Sequence, residues 1–326
     1  MTINKKECAA NKTSIGGQAL IEGVMMRGKN ITAMSVRLPD NTIDTEIIQN
    51  SSLKDKVKLL GLPFIRGFFN FVEMMIFGYK CLMKSAEKAG LEEDSDDQKN
   101  QQDKEENEEK NRKLFAVVGV LSMILGTALS LVLFLFLPSF FVKLFSTYIF
   151  DVGYMKTLFE GLVKIAVFVA YIASVSLLKD IRRVFEYHGA EHKSIACLEA
   201  GDELTVENAR KHLRFHPRCG TSFILIVLIV SIIINSFIPT WNLLVRTCLK
   251  LLLIPLVVSI GYEIIKFAGK HDNIFTRIMS APGLWLQRIT TREPDDSQLE
   301  VALTALEAVL RNMPESKEAN NSLASE

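Results

Sequence analysis

The sequence predicts an α-helical polytopic membrane protein of about four transmembrane helices, preceded by a small cytoplasmic α+β part. Three observations predict it: long apolar runs in the second half, a β-branched strand pair ahead of them, and a clustering of Lys and Arg in one loop between runs. The 326 residues are 48% hydrophobic, with a mean hydropathy of +0.20, and the apolar residues are gathered rather than dispersed. The run from Leu114 to Pro138 carries no charge; Gly161 to Leu178 contains one Lys, Thr221 to Pro239 none, and Leu251 to Phe267 only Glu263 and Lys266 near its end. Each run approaches the roughly 20 residues a helix needs to cross about 30 Å of hydrocarbon.

Taken in order, the opening MTINKKECAANKTS is polar, without the apolar core of a signal or an anchor. Residues 1–90 read as a cytoplasmic or interfacial N-terminal part. Within it, SIGGQALIEGVMMRG is glycine-punctuated and apolar without helical period, a string in which Glu22 and Arg27 could enter a site or the glycines could simply pack. ITAMSVRL and TIDTEIIQ, separated by Pro39-Asp40-Asn41, read as a β-hairpin. The segment PFIRGFFNFVEMMIFGYKCLMKSAEK spaces Arg66, Glu73 and Lys80 seven apart, on one face of an amphipathic helix that lies on, packs beneath or crosses the bilayer.

Residues 91–113 are nearly all charged or polar and read as a disordered linker, because nothing in them can join a core. Residues 114–267 form the four-span membrane domain. Its loop 179–220 carries Lys179, Arg182, Arg183, Lys193, Arg210, Lys211, Arg214 and Arg218, against two cations in each of the loops Ser139–Glu160 and Thr240–Lys250. Short basic loops stay inside, so this loop and both termini face the cytoplasm of a multi-pass cell-membrane protein. Residues 268–326 hold cytoplasmic helices and a polar tail: Ala281 to Asp296, with Trp285 and Arg288, fits an amphipathic interfacial helix, and Gln298 to Arg311 a packing helix. A net charge of +1 gives no field to attract nucleic acid, and five scattered cysteines argue for a reducing compartment rather than a disulfide framework. The bilayer is the partner this reading implies, and a homo-oligomer stays open.

The chemistry concentrates in one place. Four of the five histidines, His188, His192, His212 and His216, fall inside the basic loop. His188 and His192 flank Glu191 in H-G-A-E-H, an instance of H-x-x-E-H. On a helix that runs from the second span to a cap at Gly201, residues four apart share a face, so both imidazoles can reach one divalent ion, zinc by its chemistry, while Glu191 serves as general base. Thr205 can cap a second helix, VENARKHLRF, ended by Pro217, that brings His216 and Cys219 back. Ligation by His188, His192 and His216 leaves a catalytic position open; if Cys219 also binds, the site is closed and structural. A hydrogen-bonded histidine cluster or an anionic-headgroup patch built on the loop's arginines are the competing readings.

The strings GGQALIEGVMMRG, HGAEHK, HPRCGTSF and PGLWLQRITTREPDD resemble the YqhQ-like family, bacterial membrane proteins of unassigned biochemical function that have been predicted to be metal-dependent enzymes. The resemblance runs from Ile15 to about Leu310. It implies a membrane location and metal binding around His188, Glu191, His192, His216 and Cys219, but no substrate. The expectation is therefore a metal-dependent, hydrolase-like enzyme, with a non-enzymatic scaffold or lipid-binding protein as the alternative; a transporter is disfavoured because the span centres lack ionisable residues.

Overall fold

The computed structural model describes residues 13, 15–50, 62, 65–90, 121, 124–130, 132–148, 156–217, 219–238, 243–270 and 273–313. The polar opening, the charged linker 91–113, the start of the first apolar run and the tail from 314 lie outside the described residues. The chain forms two compact units, Met1–Glu92 with Ile172–Glu326, and Glu93–Tyr171. It is mostly helical, with one small N-terminal antiparallel sheet.

The sheet is a four-stranded meander of β1 (Gly16–Leu20), β2 (Gly23–Arg27), β3 (Ile31–Arg37) and β4 (Ile43–Gln49). The expected hairpin is β3–β4, whose register pairs Ile31 with Gln49 and Arg37 with Ile43. Its turn closes at Pro39-Asp40-Asn41: Asp40 Oδ1 accepts from Thr42 N at 2.9 Å, and Asn41 takes a left-handed φ of 66° that an amide side chain tolerates. The string GGQALIEGVMMRG is a second hairpin, β1–β2, which the sequence reading did not see as strands. The reason is that both faces of the sheet are covered. Val24, Met26, Ile31 and Ala33 pack on one side with helical residues from Tyr187 to Val309, while Leu20, Met25, Met34 and Val36 pack on the other with Cys81. A strand buried on both faces shows no alternation of polar and apolar residues.

Helix α1 (Arg66–Lys88) covers that second face. It then reaches the apolar helices, where Gly67 admits Ser259 so closely that a Cβ would stand 2.7 Å from its Cα, and Phe68 N donates to Ser259 Oγ at 3.1 Å. Two members of its charged face are paired, Arg66 forking onto Glu263 at 2.7 and 2.6 Å and Glu73 accepting from Arg27 at 2.9 Å, while Lys80 is exposed. The opposite face, with Phe69, Ile76 and Met83 at seven-residue spacing, is exposed.

In the other unit, a π-helical turn at Val132–Phe136 leads into α2 (Leu137–Tyr148), the widened turn accommodating Pro138, which has no N–H to donate. Helix α3 (Lys156–Val175) meets this segment through Phe134–Phe168 and Phe145–Phe159 ring pairs at 6.4 and 5.2 Å. The chain breaks at Ser176–Leu178, where Leu178 is extended, so α4 (Lys179–Ala200) is not the continuation of the span that the sequence suggested. Its predicted end holds: Gly201 caps it at φ 74°, its N–H bonding Leu198 O at 3.0 Å. Helix α5 covers only Val206–Lys211, capped by Thr205, and does not run to Phe215. There the buried Lys193 ammonium takes the Arg210 carbonyl at 2.9 Å, the very group the next helical turn needs.

Helices α6 (Gly220–Ser236) and α7 (Leu243–Lys270) pack through Ile226, Val230 and Val257. Among the described residues two helices are long and apolar enough to cross a membrane, over Leu158–Val175 and Cys248–Ala268; α6 is a shorter apolar helix of 17 residues. Helix α8 (Ile274–Thr290) starts earlier and stops earlier than the 281–296 amphipathic segment expected, because residues 291–295 run extended. Helix α9 (Asp296–Asn312) follows, buried against α4 and the sheet through Leu299, Ala302, Leu306 and Val309. Its start is a capping box in which Asp295 accepts from Gln298 N at 2.9 Å and Gln298 Oε1 accepts from Asp295 N at 3.0 Å. Asp295→Ala should therefore cost about 1 kcal/mol, read as a lowered melting temperature of the detergent-solubilised protein, and Asp295→Asn should recover most of the loss.

Candidate metal centre

The H-G-A-E-H string lies in the middle of α4, so its two imidazoles do share a face. The His188 and His192 rings sit 4.5 Å apart, centroid to centroid. Each ring is fixed by its Nδ1, which donates to a backbone carbonyl: His188 to Thr290 O at 2.8 Å and His192 to Arg214 O at 2.6 Å. Both Nε2 atoms are thereby turned toward a common point. The third group at that point is Cys219, whose Sγ lies 3.2 Å from His188 Nε2 and 3.1 Å from Thr221 Oγ1. The ligand atoms of His188, His192 and Cys219 all lie within 4.8 Å of one another, close enough to hold one metal ion.

The environment favours the charged forms of Cys219 and His188. Burial works against ionising the Cys219 thiol, yet the His188 and His192 imidazoles hold its pKa well below the ordinary thiol value. Cys219 also stands at the N-cap of α6, where the helix dipole favours an anion. Burial likewise opposes protonation of His188, and the Cys219 thiolate outweighs it, raising the imidazole to about 9. Glu191 is the buried neighbour, its Oε2 3.9 Å from His188 Nε2 and 3.7 Å from His192 Nε2. Strand β1 backs it, since a Cβ on Gly17 would stand 2.6 Å from Glu191 Cγ.

The other sequence candidates divide. His216 lies nearby, its ring 5.7 Å from that of His192, but its Nε2 faces Glu199 Oε2 at 3.6 Å and it stands outside the trio. Its place is set by Gln287, which grips the His216 backbone from both sides: Oε1 accepts from the N–H at 2.8 Å and Nε2 donates to the carbonyl at 2.7 Å. His212 pairs with Asp202 at 2.9 Å on the surface. Glu22 and Arg27 do not enter the centre; Glu22 binds Arg183 and accepts from the Tyr187 hydroxyl at 3.2 Å, and Arg27 binds Glu73. Gln287 and Thr290, three apart on the inner face of α8, were missed because their role is to bind backbone or to offer it. The one available signal was their position opposite Trp285 on the same helix.

Fold and cluster together define a mostly helical protein in which two histidines of a sheet-backed helix and a cysteine at the start of a second helix form a group that could hold a metal. By sequence the chain belongs to the family described as Protein of unknown function (DUF1385), which matches residues 62–312. It is 36% identical over 297 residues to "Uncharacterized protein YqhQ" of Bacillus subtilis (strain 168), covering 91% of this chain and 92% of that protein. No solved structure matches it.

One position in the motif explains itself by packing. Residues 290–295 form a strap across α4: Thr290 O meets His188, Arg292 N donates to Phe185 O at 2.8 Å, and a Cβ at Gly189 would overlap the Arg292 carbonyl oxygen. Gly189→Ala should thus push the strap away, costing about 1–3 kcal/mol as overpacking does, and should loosen His188 with it. The check is a thermal melt paired with zinc titration, in which both stability and affinity fall; unchanged values would mean the strap is free to shift.

Proposed function

We propose that this chain is a metal-dependent membrane enzyme of hydrolase-like activity, with its site at the cytoplasmic surface of the bilayer. The observation that carries the reading is the convergence of two imidazole Nε2 atoms and one cysteine Sγ within 4.8 Å, beside the buried carboxylate of Glu191. Zinc suits this mixed nitrogen and sulfur set, and three protein donors leave a fourth tetrahedral position open. A bound ion would supply a Lewis acid and bring the pKa of a water near neutrality. Cys219 takes the third ligand place that the sequence offered to His216, and Glu191 keeps the role of general base. The Thr290 and Arg214 carbonyls hold the rings against rotation, Glu191 Oε2 is within 4 Å of both imidazoles and so beside any water they would flank, and β1 closes the site from behind.

The membrane part of the proposal is a four-span chain with both termini in the cytoplasm and the bilayer as partner. Helices α3 and α7 supply the second and fourth spans, α6 the core of the third, and the apolar run from Leu114 the first. Leu251 and Leu252 on α7 and Ile233 on α6 point outward, as a hydrocarbon solvent permits. Cations concentrated in 179–220 orient the chain.

A second reading, a structural clamp in a scaffold or lipid-binding protein, draws support from burial: His192 is 1% exposed and Cys219 5%. Two sets of variants separate the readings. Outer-shell partners alone are worth about 10–100-fold in metal affinity, so His188→Ala or Cys219→Ser should lower bound zinc at least as much. Glu191→Gln should keep the metal while failing to complement a deletion strain. Full complementation by Glu191→Gln, with metal and stability lost only in the ligand variants, would make the site a clamp. Orientation is tested apart from this: a reporter fused after Asn208 should behave as cytoplasmic, and an extracytoplasmic signal would refute the topology.

A further inference from the structure

Helix α8 has two unlike faces. Its inner face, Ser280, Gly283, Gln287 and Thr290, is buried; Gly283 lies so close to α6 that a Cβ would stand 3.0 Å from Ser222 Cα, and Gln287 Nε2 donates to Ser222 Oγ at 3.0 Å. Its outer face is a stripe of Ile274, Ile278, Ala281 and Trp285 at helical spacing, with Ile274 74%, Ile278 65% and Trp285 54% exposed. Among the described residues nothing covers this stripe. Two cations follow it toward the metal cluster. Arg288, one turn beyond Trp285, is exposed and has no ion-pair partner among the described residues, and Arg292 buries its Nε without a hydrogen-bond partner there.

We infer that the outer face of α8 is seated in the cytoplasmic leaflet, with Trp285 at the headgroup boundary and Arg288 paired with acidic phospholipid. Four features converge on lipid as the occupant. An aromatic with a polar N–H suits the interface, an unpaired guanidinium complements an anionic headgroup, and isoleucines filling an outward stripe suit acyl chains. Continuity is the fourth: the candidate span in α7 ends at Ala268, so α8 begins within a few residues of where the chain leaves the bilayer. The consequence is chemical. The helix that presents Thr290 O to His188 is itself held by lipid, which keeps the cluster at headgroup depth and makes a membrane-borne molecule, reacting at its polar end, the substrate class the site can reach. The seating of α8 rests on the membrane part of the proposed function and not on metal binding; the substrate class rests on the enzyme reading as well.

The full chain, reconstituted in phosphatidylcholine vesicles with or without phosphatidylglycerol, gives the test. The chain has two tryptophans, so Trp241→Phe leaves Trp285 as the sole indole. Its fluorescence should be quenched more by a lipid spin label near the headgroup than by one deep in the acyl chain, and should be shielded from aqueous acrylamide. Phosphatidylglycerol should increase the lipid quenching, and Arg288→Gln in the same background should abolish that increase while leaving the depth order intact. Free access of acrylamide to Trp285 with no quenching from either label overturns the inference. Protection from all three quenchers also overturns it, because a second copy or another protein then covers the stripe. An increase with phosphatidylglycerol that survives Arg288→Gln refutes the headgroup pairing. Carbonate extraction separates the failures: a chain that carbonate strips from the vesicles is not a spanning protein at all, whereas one that resists extraction yet exposes Trp285 loses this inference alone.

Discussion

Two backbone carbonyls, Thr290 O and Arg214 O, are the constraint on which the histidine cluster depends. An imidazole can present Nε2 to a ligand in a fixed direction only if Nδ1 is already engaged, and here each Nδ1 donates to one of these oxygens. Carbonyls are available for such work only where a helix has ended or has been prevented from forming. Thr290 is the last residue of α8, whose terminal oxygens have no intrahelical donors, and Arg214 lies in a non-helical stretch beyond α5. The shortness of α5 is therefore part of the site: residues 212–217 are non-helical, and the Arg210 carbonyl at its end is taken by the Lys193 ammonium.

Helix α4 is in consequence held on several sides at once. The strap crosses it at Gly189, β1 presses on Glu191 through Gly17, the 212–217 segment meets His192, and α9 packs along its flank through the shared core of Tyr187, Ala190, Leu299 and Leu306. The polar links reinforce this. Gln298, fully buried at the start of α9, donates to Glu186 at 3.1 Å, and Lys193 is paired with Glu293 of the strap. A buried group of two imidazoles and a thiol needs such a rigid frame, since each side chain would otherwise turn to solvent.

What the sequence made legible follows from local physics. The four-residue spacing of His188 and His192, the Gly201 cap and the Pro39-Asp40-Asn41 turn are decided within a few residues, and each appears where the pattern put it. What stayed hidden was decided at long range. The sequence offered His216 as the third ligand and Cys219, three residues on in the same string, as one that would close the site; their placing falls to Gln287, 71 residues from His216, whose amide fixes that backbone and leaves Cys219 at the mouth of α6. The β1–β2 hairpin was obscured for a related reason, because coverage of both sheet faces erased the alternation by which a strand is read.

The larger unit has surfaces of two kinds, and their boundary sets where the cluster lies. Around the sheet, α4 and α9, the exposed residues are ordinary charges such as Glu300, Glu307, Arg210 and Lys211. On α1, α7 and α8 large apolar side chains such as Phe69, Ile76, Leu252, Ile278 and Trp285 face out beside a few charges, while Arg66 and Glu73 are paired across helix contacts and Gln287 is buried. Exposed apolar surface on this scale marks a contact face, which the proposed function assigns to the bilayer. Cys219 is the last residue before α6, and Thr290 the last of α8, so both stand where one kind of surface gives way to the other. His188 and His192, carried by the polar-surfaced half, meet them there, and the ligand set is complete only because the two halves are joined at that line.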